Sequence, residues 1–200
     1  LAHQSEYAMM DAMIPVLSPA GVQEFLDLGL HGFAMSRFSG CWTGFKCVTM
    51  TVDSSASVYV DPDRIKIILP DGVTMPTDGL SIRWPDSQLE QEVRLHKYKL
   101  AAAQSYARSN QIDRIITQGD HDTLGIVAAG KSYLDTRQAL ADLDLDETDL
   151  MRLGVRLYKP ALVWPLETTS LMEFASGLDK IIVVEEKRGL IEDQIKEILF

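Results

Sequence analysis

The chain carries Thr123-Leu-Gly-Ile-Val-Ala-Ala-Gly-Lys-Ser132, an apolar strand pattern that runs through a glycine into a polar helix start. Two further apolar runs follow it, Val155-Arg-Leu-Tyr158 and Lys180-Ile-Ile-Val-Val-Glu-Glu-Lys-Arg188. Helix-like segments separate the three runs, and strands that alternate with helices form parallel sheets through right-handed crossovers. We therefore predict an α/β fold whose parallel sheet occupies the C-terminal part of the chain.

Capping signals and hydrophobic periodicity predict where the helices and strands of this part begin and end. They predict strands at 124–128, 155–158 and 181–185, and helices at 133–143, 146–153, 168–177 and 190–199. Trp164-Pro165-Leu166 predicts a turn. A long amphipathic helix is expected just before this part, from Ser87 to Asn110, with Asp86 or Ser87 as its cap.

The N-terminal part gives weaker signals. Residues 3–14 are helical by pattern, and Ser18 and Pro19 suit the cap and first position of a second helix that ends at Gly40. The β-branched run 46–52 predicts a strand.

Turn-forming residues are frequent from 53 to 86, and only Ile65–Leu69 predicts a strand there. We interpret this stretch as an irregular connector between two parts of the protein.

Composition excludes several classes of function. The 200 residues are 46% hydrophobic and carry a formal net charge of −10, which disfavours nucleic acids and anionic membranes as partners. The sequence contains no apolar run of transmembrane length. Cys41 and Cys47 fit neither a disulfide framework nor a metal site, so we expect reduced thiols, no metal ligands and a cytoplasmic location.

The two ends suggest an internal fragment. The sequence Leu1-Ala-His-Gln-Ser-Glu6 has neither an initiator methionine nor a basic signal-peptide start. The last helical pattern stops at Phe200 without a capping residue.

The turn at Gly130-Lys131-Ser132 is a candidate anion-binding site. The spacing from Gly125 matches a phosphate-binding loop, but residues 126–129 are strand-like where such a loop has exposed amides. A helix that begins at this turn still favours a phosphate or carboxylate at its N-terminus. The alternative is a glycine that a tight turn requires.

Other polar clusters predict contacts rather than catalysis. Asp120-His121-Asp122 is interpreted as a solvated turn. Glu185, Glu186, Lys187 and Arg188 follow a strand, at the sheet edge where ligands and partner domains bind. With Arg37 and Trp42 they form the candidate domain or subunit interface, while a solvated loop and aromatic packing are the alternatives. No motif marks a catalytic residue, so none is predicted.

Five stretches carry a resemblance to a known family. They are Pro15-Val-Leu-Ser-Pro-Ala-Gly-Val-Gln-Glu24, His31-Gly-Phe-Ala-Met-Ser-Arg-Phe-Ser-Gly-Cys-Trp-Thr-Gly-Phe-Lys46, Ala107-Arg-Ser-Asn-Gln-Ile-Asp-Arg114, Leu124-Gly-Ile-Val-Ala-Ala-Gly-Lys-Ser-Tyr-Leu-Asp135 and Val184-Glu-Glu-Lys-Arg188. In this order they resemble the fused bacterial indolepyruvate ferredoxin oxidoreductases.

The resemblance implies a thiamine-diphosphate-dependent enzyme that decarboxylates 2-oxoacids oxidatively onto coenzyme A. Its cofactors would be thiamine diphosphate, Mg and iron–sulfur clusters, none of them held by this fragment. Residues 1–60 resemble the end of a pyrimidine-binding thiamine domain, 61–112 a connector, and 113–200 a three-layer, parallel-sheet transketolase C-terminal-like domain. The implied catalytic glutamate and pyrophosphate site lie outside the chain.

The resemblance also implies partners, namely the remaining domains of the polypeptide, ferredoxin and a second copy in a homodimer. The expected role is a structural, non-catalytic segment that is inactive alone. Two alternatives remain open: an independent anion- or nucleotide-binding module that uses Gly130-Lys131-Ser132, and an interaction domain of another complex.

Overall fold

The computed structural model describes residues 4–84 and 86–200. The helices are α1 (Glu6–Asp11), α2 (Val22–Ser39), α3 (Thr49–Val52), α4 (Gln88–Arg94), α5 (Leu100–Ser109), α6 (Gly130–Asp142), α7 (Glu147–Leu153), α8 (Thr168–Ala175) and α9 (Leu190–Leu199). The strands are β1 (Val16–Leu17), β2 (Gly44–Phe45), β3 (Arg114–Thr117), β4 (Leu124–Ala128), β5 (Val155–Lys159), β6 (Leu162–Trp164) and β7 (Lys180–Val184).

A four-stranded sheet organises the C-terminal part. Its strand order is β3-β5-β4-β7, with β5, β4 and β7 parallel and β3 antiparallel to β5. The α/β class and the parallel strands are therefore confirmed, and the antiparallel edge strand β3 is an addition that the sequence did not predict. The name transketolase C-terminal-like remains a prediction.

One face of this sheet carries the main apolar core. Val127 of β4 and Tyr158 of β5 lie there against Phe174 of α8 and Ile191 of α9. The rings of Tyr158 and Phe174 stack with their centroids 5.0 Å apart. Gly125 leaves room for this layer, because a Cβ atom at that position would lie 2.6 Å from the Phe174 ring.

A second, smaller sheet connects the N-terminal elements to the C-terminal α/β unit. Strand β1 lies at its centre, parallel to β2 and antiparallel to β6. Leu17 of β1 and Leu162 of β6 belong to a second apolar cluster with Met35 of α2 and Tyr106 of α5. The N-terminal elements therefore pack directly on the C-terminal α/β unit.

The long helix predicted from Ser87 is present as α4, a π-helical stretch at Leu95–Lys99, and α5. The Ser87 hydroxyl accepts from the backbone N–H of Glu90, and the Glu90 carboxylate accepts from the backbone N–H of Ser87, which together form a capping box. Asn110 is the C-cap, as predicted. The π-helical stretch was not predicted.

Two predicted strands are wrong. The run 46–52 contains helix α3, and strand β2 lies just before it. Ile65–Leu69 forms no strand, and the backbone N–H of Ile68 instead donates to the side chain of Asn110 at 2.8 Å. A β-branched run becomes a strand only where a neighbouring strand can pair with it, and neither segment has one.

The start of α2 is also corrected. Residues 18–21 are not helical, because the backbone N–H of Ser18 donates to the carbonyl of Ala161 at 2.8 Å and extends the pairing of β1. The helix begins at Val22 after the extended Gly21 and ends at Gly40, which is left-handed as its predicted capping role requires. The predicted helix 3–14 is shorter, Glu6–Asp11, and its first residue, His3, lies outside the described residues.

The described helices include none with both the length and the apolar character needed to cross a membrane.

Candidate functional site

A cleft lies at the carboxyl edge of the larger sheet, between β4 and β7. The chain leaves β4 at Ala128 and enters α6, and it leaves β7 at Val184 and enters α9. Helix α9 packs on the face that carries Val127, and the right-handed crossover from β4 to β5 takes α6 to the opposite face. Neighbouring strands that send their helices to opposite faces create the crevice where α/β sheets bind ligands.

The first turn of α6 forms one wall of this cleft. Gly130, its first residue, has a φ angle of +51°, a left-handed conformation that favours glycine. A Cβ atom there would lie 2.5 Å from Oγ of Ser18, so glycine also allows this close approach. No side chain in the described ranges caps α6. The first amide N–H groups of a helix have no acceptor inside the helix, and they attract anions.

Ser18 brings a hydroxyl group to the same point. The residue is only 5% exposed and lines the cavity beside Gly130. Its backbone N–H donates to the carbonyl of Ala161 at 2.8 Å.

The ammonium groups of the cleft are matched by carboxylates. Lys131 forms ion pairs with Asp135 and, at 3.7 Å, with Glu186. The hydrogen bond that Lys131 donates to the Asp135 carboxylate raises the pKa of Lys131 and keeps the group charged. Lys46 pairs with Glu6 at 2.5 Å. The cleft therefore offers many polar groups but little net positive charge.

The N-terminus of α9 is already occupied. Both carboxylate oxygens of Glu185 accept from backbone N–H groups, those of Leu190 at 3.1 Å, Ile191 at 2.9 Å and Glu192 at 3.1 Å. These bonds satisfy the amides that would otherwise attract an anion. Of the two helices that begin at this edge, only α6 has a start without a capping side chain.

Arg188 fixes the far side of the cleft to the N-terminal segment. Its backbone N–H donates to Gln4 at 3.2 Å and its carbonyl accepts from Gln4 at 2.8 Å. Its guanidinium lies over the ring of Tyr7, 4.0 Å from the centroid. This residue therefore contacts another part of the same chain.

The cleft has two connected parts, which we call the polar cavity and the groove. The polar cavity has a volume of about 50 Å³ and is lined by Ser18, Lys131, Ser132 and Glu186, among others. The groove has a volume of about 580 Å³ and shares Lys131, Glu186, Glu6 and Lys46 with the cavity. Its apolar lining consists of Met9, Val16, Phe45, Val48 and Met50.

The structure brings two of the predicted clusters together and leaves the third apart. Lys131 and Ser132 line the polar cavity with Glu185, Glu186 and Lys187. Arg37 and Trp42 lie at the end of α2 and do not line the cleft. Trp42 is 76% exposed, and Arg37 lies exposed in the last helical turn, where its charge suits the helix dipole.

Asp122 departs from the predicted solvated turn. Asp120 and His121 are exposed, but Asp122 is buried and paired with the buried Arg156 at 3.0 Å. The side chain therefore stabilises the fold. Hydrophobic periodicity gave no signal for this, because Arg156 lies within an apolar strand and its partner is 34 residues away.

The described residues do not fit the cofactors that the resemblance implies. No group of three His, Cys, Asp or Glu residues in the described ranges is arranged to hold a metal ion. Cys41 is buried and Cys47 exposed, both as free thiols, and two cysteines fall short of the four that an iron–sulfur cluster takes. No catalytic step is assigned to such a group here.

Sequence reasoning missed the residues that the N-terminal part contributes to the cleft. Ser18 was interpreted as a helix cap and Lys46 as part of a strand, while Glu6 was not singled out. The pairing of β1 with β6 carries this part to the cleft. Such a long-range pairing leaves no local signal in the sequence.

Comparison with known proteins finds similarity to indolepyruvate oxidoreductases. Residues 114–200 match the model of the indolepyruvate oxidoreductase domain. The chain is related to the indolepyruvate oxidoreductases. It is 28% identical over 191 residues to indolepyruvate oxidoreductase subunit IorA of Pyrococcus abyssi, covering 92% of this chain and 28% of the relative. The subunit of Thermococcus kodakarensis is 32% identical over 80 residues, which cover 40% of this chain and 11% of the relative.

A solved structure shows the same fold. The 2-oxoglutarate:ferredoxin oxidoreductase of Magnetococcus marinus superposes with a TM-score of 0.56 at 14% sequence identity, covering 92% of this chain and 37% of that one. The predicted relationship to indolepyruvate and 2-oxoacid oxidoreductases is confirmed. This chain spans about a quarter of the length of the indolepyruvate oxidoreductase subunits that it matches along most of its length.

Proposed function

We propose that the chain is a non-catalytic, structural segment of an indolepyruvate or other 2-oxoacid ferredoxin oxidoreductase. In the proposed reaction the bond between the carbonyl and carboxylate carbons breaks and carbon dioxide leaves. Two electrons reach ferredoxin, the acyl group joins the sulfur of coenzyme A, and the thiol proton is released. The observation that carries the proposal is the alignment of 92% of the chain with indolepyruvate oxidoreductase subunits.

The chemistry would take place on other parts of the protein. Thiamine diphosphate, Mg²⁺, iron–sulfur clusters and coenzyme A are proposed for the full-length enzyme. The described residues of this chain offer no fitting ligand set for the metal groups. A cytoplasmic location is part of the same proposal.

Within this chain we propose three segments, at 1–60, 61–112 and 113–200, with the last a transketolase C-terminal-like domain. The first and third share a sheet, since β1 pairs with β6. The segments would therefore act as one support for the neighbouring domains. Arg37, Trp42 and Glu185–Arg188 are the proposed contacts to those domains or to a second subunit.

An exposed apolar stripe supports a homodimer. Leu26, Leu30 and Phe33 follow each other along the outer face of α2 and are all exposed, Phe33 at 72%. Exposed apolar patches mark protein–protein contacts more often than chance. We propose that a second copy of the protein covers this stripe.

The test is a comparison of the native polypeptide with the 200-residue chain. The polypeptide purified from its source is expected to be several times longer, to contain iron, sulfide and thiamine diphosphate, and to reduce a viologen dye with indolepyruvate and coenzyme A. The 200-residue chain is expected to show no turnover and no bound iron.

Two results would overturn this proposal. A native polypeptide of about 200 residues without these cofactors would reject the oxidoreductase role. Turnover by the 200-residue chain would reject the non-catalytic role.

A further inference from the structure

We propose that a second cleft, between the end of α5, strand β3 and helix α8, binds the ammonium group of a small organic amine through the carboxylate of Asp113. We call it the β3 cleft. It has a volume of about 710 Å³ and shares no lining residue with the cleft between β4 and β7. The proposal concerns a binding site without a catalytic step and does not rest on the oxidoreductase function. Its failure would leave that function untouched.

The fold holds the carboxylate of Asp113 from one side only. The residue is 8% exposed and lines the β3 cleft. Its Oδ1 accepts from the backbone N–H groups of Ala161 at 2.6 Å and Leu162 at 2.9 Å, neither of which lines this cleft. Its Oδ2 is buried and has no hydrogen-bond partner among residues 4–84 and 86–200. Because the two oxygens of a carboxylate point in different directions, fixing Oδ1 on the turn between β5 and β6 turns Oδ2 toward the cleft.

The unpartnered Oδ2 of Asp113 indicates what kind of group is missing. A buried carboxylate oxygen that receives no hydrogen bond has lost its hydration without compensation, which is unfavourable. An ionised carboxylate only accepts hydrogen bonds. The group that fits this position is therefore a donor, and a positively charged donor forms the strongest such bond.

Further carboxylates surround the same point. Burial raises the pKa of Tyr158, which also lines the cleft, and the nearby carboxylates of Asp113, Glu167 and Glu173 raise it further. Glu173 is exposed and lines the cleft, whereas Glu167 lies buried at the start of α8. The carboxylates of the cleft therefore converge around the Tyr158 side chain.

The cations nearby do not balance these carboxylates. Arg108 pairs with Glu167 at 3.0 Å. Glu24 is shared by two cations, with Arg114 at 2.9 Å and with Lys159. The group thus contains one carboxylate more than it contains cations, its members being Asp113, Glu167, Glu173 and Glu24 against Arg108, Arg114 and Lys159. A ligand with a single positive charge would neutralise it.

An ammonium group fits this site better than a metal ion. Asp113 offers a single free oxygen, whereas Ca²⁺ takes about six to eight oxygen ligands. An ammonium group needs one strong acceptor here and can keep its other N–H groups on water. Ile115 and Ile116 also line the cleft, and an alkyl chain that contacts them would lose apolar surface to water. The chemical class is thus a small primary alkylammonium ion.

The probe is n-butylammonium, with three matched compounds. Tetramethylammonium has the charge without an N–H donor, 1-butanol has a donor without the charge, and Mg²⁺ is a cation without an alkyl chain. The titration is made at pH 8, where Asp113 is ionised because its pKa is about 7. We expect saturable binding to the 200-residue chain, about tenfold tighter than for any of the three. In a ¹⁵N spectrum the amide signals of residues 113–116 should shift.

Variants separate the site from the fold. Asp113→Asn keeps the shape and an acceptor for the turn between β5 and β6, but it places an N–H donor where Oδ2 was. It should weaken n-butylammonium binding about tenfold or more, as expected for a hydrogen bond between charged groups. Asp120→Asn removes an exposed carboxylate that does not line the cleft, and it is the control that should leave the affinity unchanged.

Each contrary result overturns the proposal. No saturable binding, amide shifts elsewhere than residues 113–116, or an affinity that Asp113→Asn leaves unchanged would show that only water reaches Oδ2. Equal affinity for tetramethylammonium or 1-butanol would reject a charged hydrogen bond, and equal or tighter binding of Mg²⁺ would reject the amine. If Asp113→Asn fails to fold, the amide shifts and the four-compound comparison on the unmodified chain still decide the question.

Discussion

Arg156 donates from Nε to a carboxylate oxygen of Asp122 at 3.0 Å, and both side chains are buried. The same guanidinium donates to the carbonyls of Phe174 at 2.6 Å and Ser176 at 3.0 Å. Asp122 also accepts from the backbone N–H of Gly119 at 2.9 Å. One buried cation therefore ties the loop before β4 to the end of α8.

Removing one partner of this pair should destabilise the protein strongly. Asp122→Ala leaves a buried guanidinium without its counterion, which costs about 3–5 kcal/mol in comparable buried pairs. Urea unfolding of the 200-residue chain measures the change in the free energy of unfolding. The control is Asp120→Ala, an exposed neighbour expected to change that free energy by no more than about 0.5 kcal/mol. A loss below about 1 kcal/mol for Asp122→Ala would contradict the role assigned to the pair.

Asp113 should make stability depend on pH. Its carboxylate accepts from the backbone N–H groups of Ala161 at 2.6 Å and Leu162 at 2.9 Å, yet burial outweighs these bonds and raises its pKa to about 7 from 3.8. The folded protein then binds the proton more tightly than the unfolded chain. The stability that Asp113 contributes is complete below about pH 4 and is lost as the pH rises through 7.

The measurement is the free energy of unfolding in urea at steps between pH 4 and 8. The Asp113→Asn variant has no ionisable group at this position. The difference in the free energy of unfolding between the variant and the wild type therefore reports the titration of Asp113 and not that of Glu167 and Lys159 nearby. We expect the wild type to lose stability relative to this variant as the pH rises. A constant difference across this range would show that Asp113 titrates normally.

Glu185 should stabilise the start of α9. Glu185→Ala removes the acceptor of three backbone N–H groups and, like loss of a helix cap, should cost about 1 kcal/mol. Amide hydrogen exchange in the first turn of α9 should become faster. Glu186→Ala is the matched control, because its side chain is exposed and makes only a 3.7 Å ion pair with Lys131. Equal effects of the two changes would argue against a capping role for Glu185.

The outer stripe of α2 should carry self-association. The double change Leu30→Glu and Phe33→Glu places two charges on the proposed contact and should convert a dimer into a monomer in sedimentation equilibrium. Met172→Glu on α8 introduces a charge at another exposed apolar side chain and should leave the dimer intact. A wild-type chain that stays monomeric, or a dimer that survives the double change, would reject this surface.

The elements that the sequence predicted well have their signals within a few residues. Helix α9 has the predicted bounds, Leu190–Leu199, because its strand and its apolar stripe are adjacent in the chain. Helix α7 is bounded by Asp146 in a capping box and by the left-handed Gly154. In such cases the local free energies of capping and turn formation agree with the fold.

The features that were missed depend on distant partners. Strand β3 exists because β5 offers it an antiparallel edge, and its four residues are too few for a clear periodicity. In the site, Lys131 and Ser132 were predicted, but Ser18 and Lys46 reach the cleft only through the pairing of β1 and β2. Sequence patterns along one segment cannot report contacts between segments so far apart.

The central position of β1 in the small sheet has a consequence for how the chain folds. Strand β1 lies near the start of the chain and its partner β6 at residues 162–164, so their pairing closes a loop of about three quarters of the protein. Closing a long loop loses much chain entropy and tends to occur late and slowly. Until then β6 has a free edge that can pair with another molecule. Refolding should therefore give lower yields as protein concentration rises, and a chain that has not yet placed β1 would be the species that aggregates.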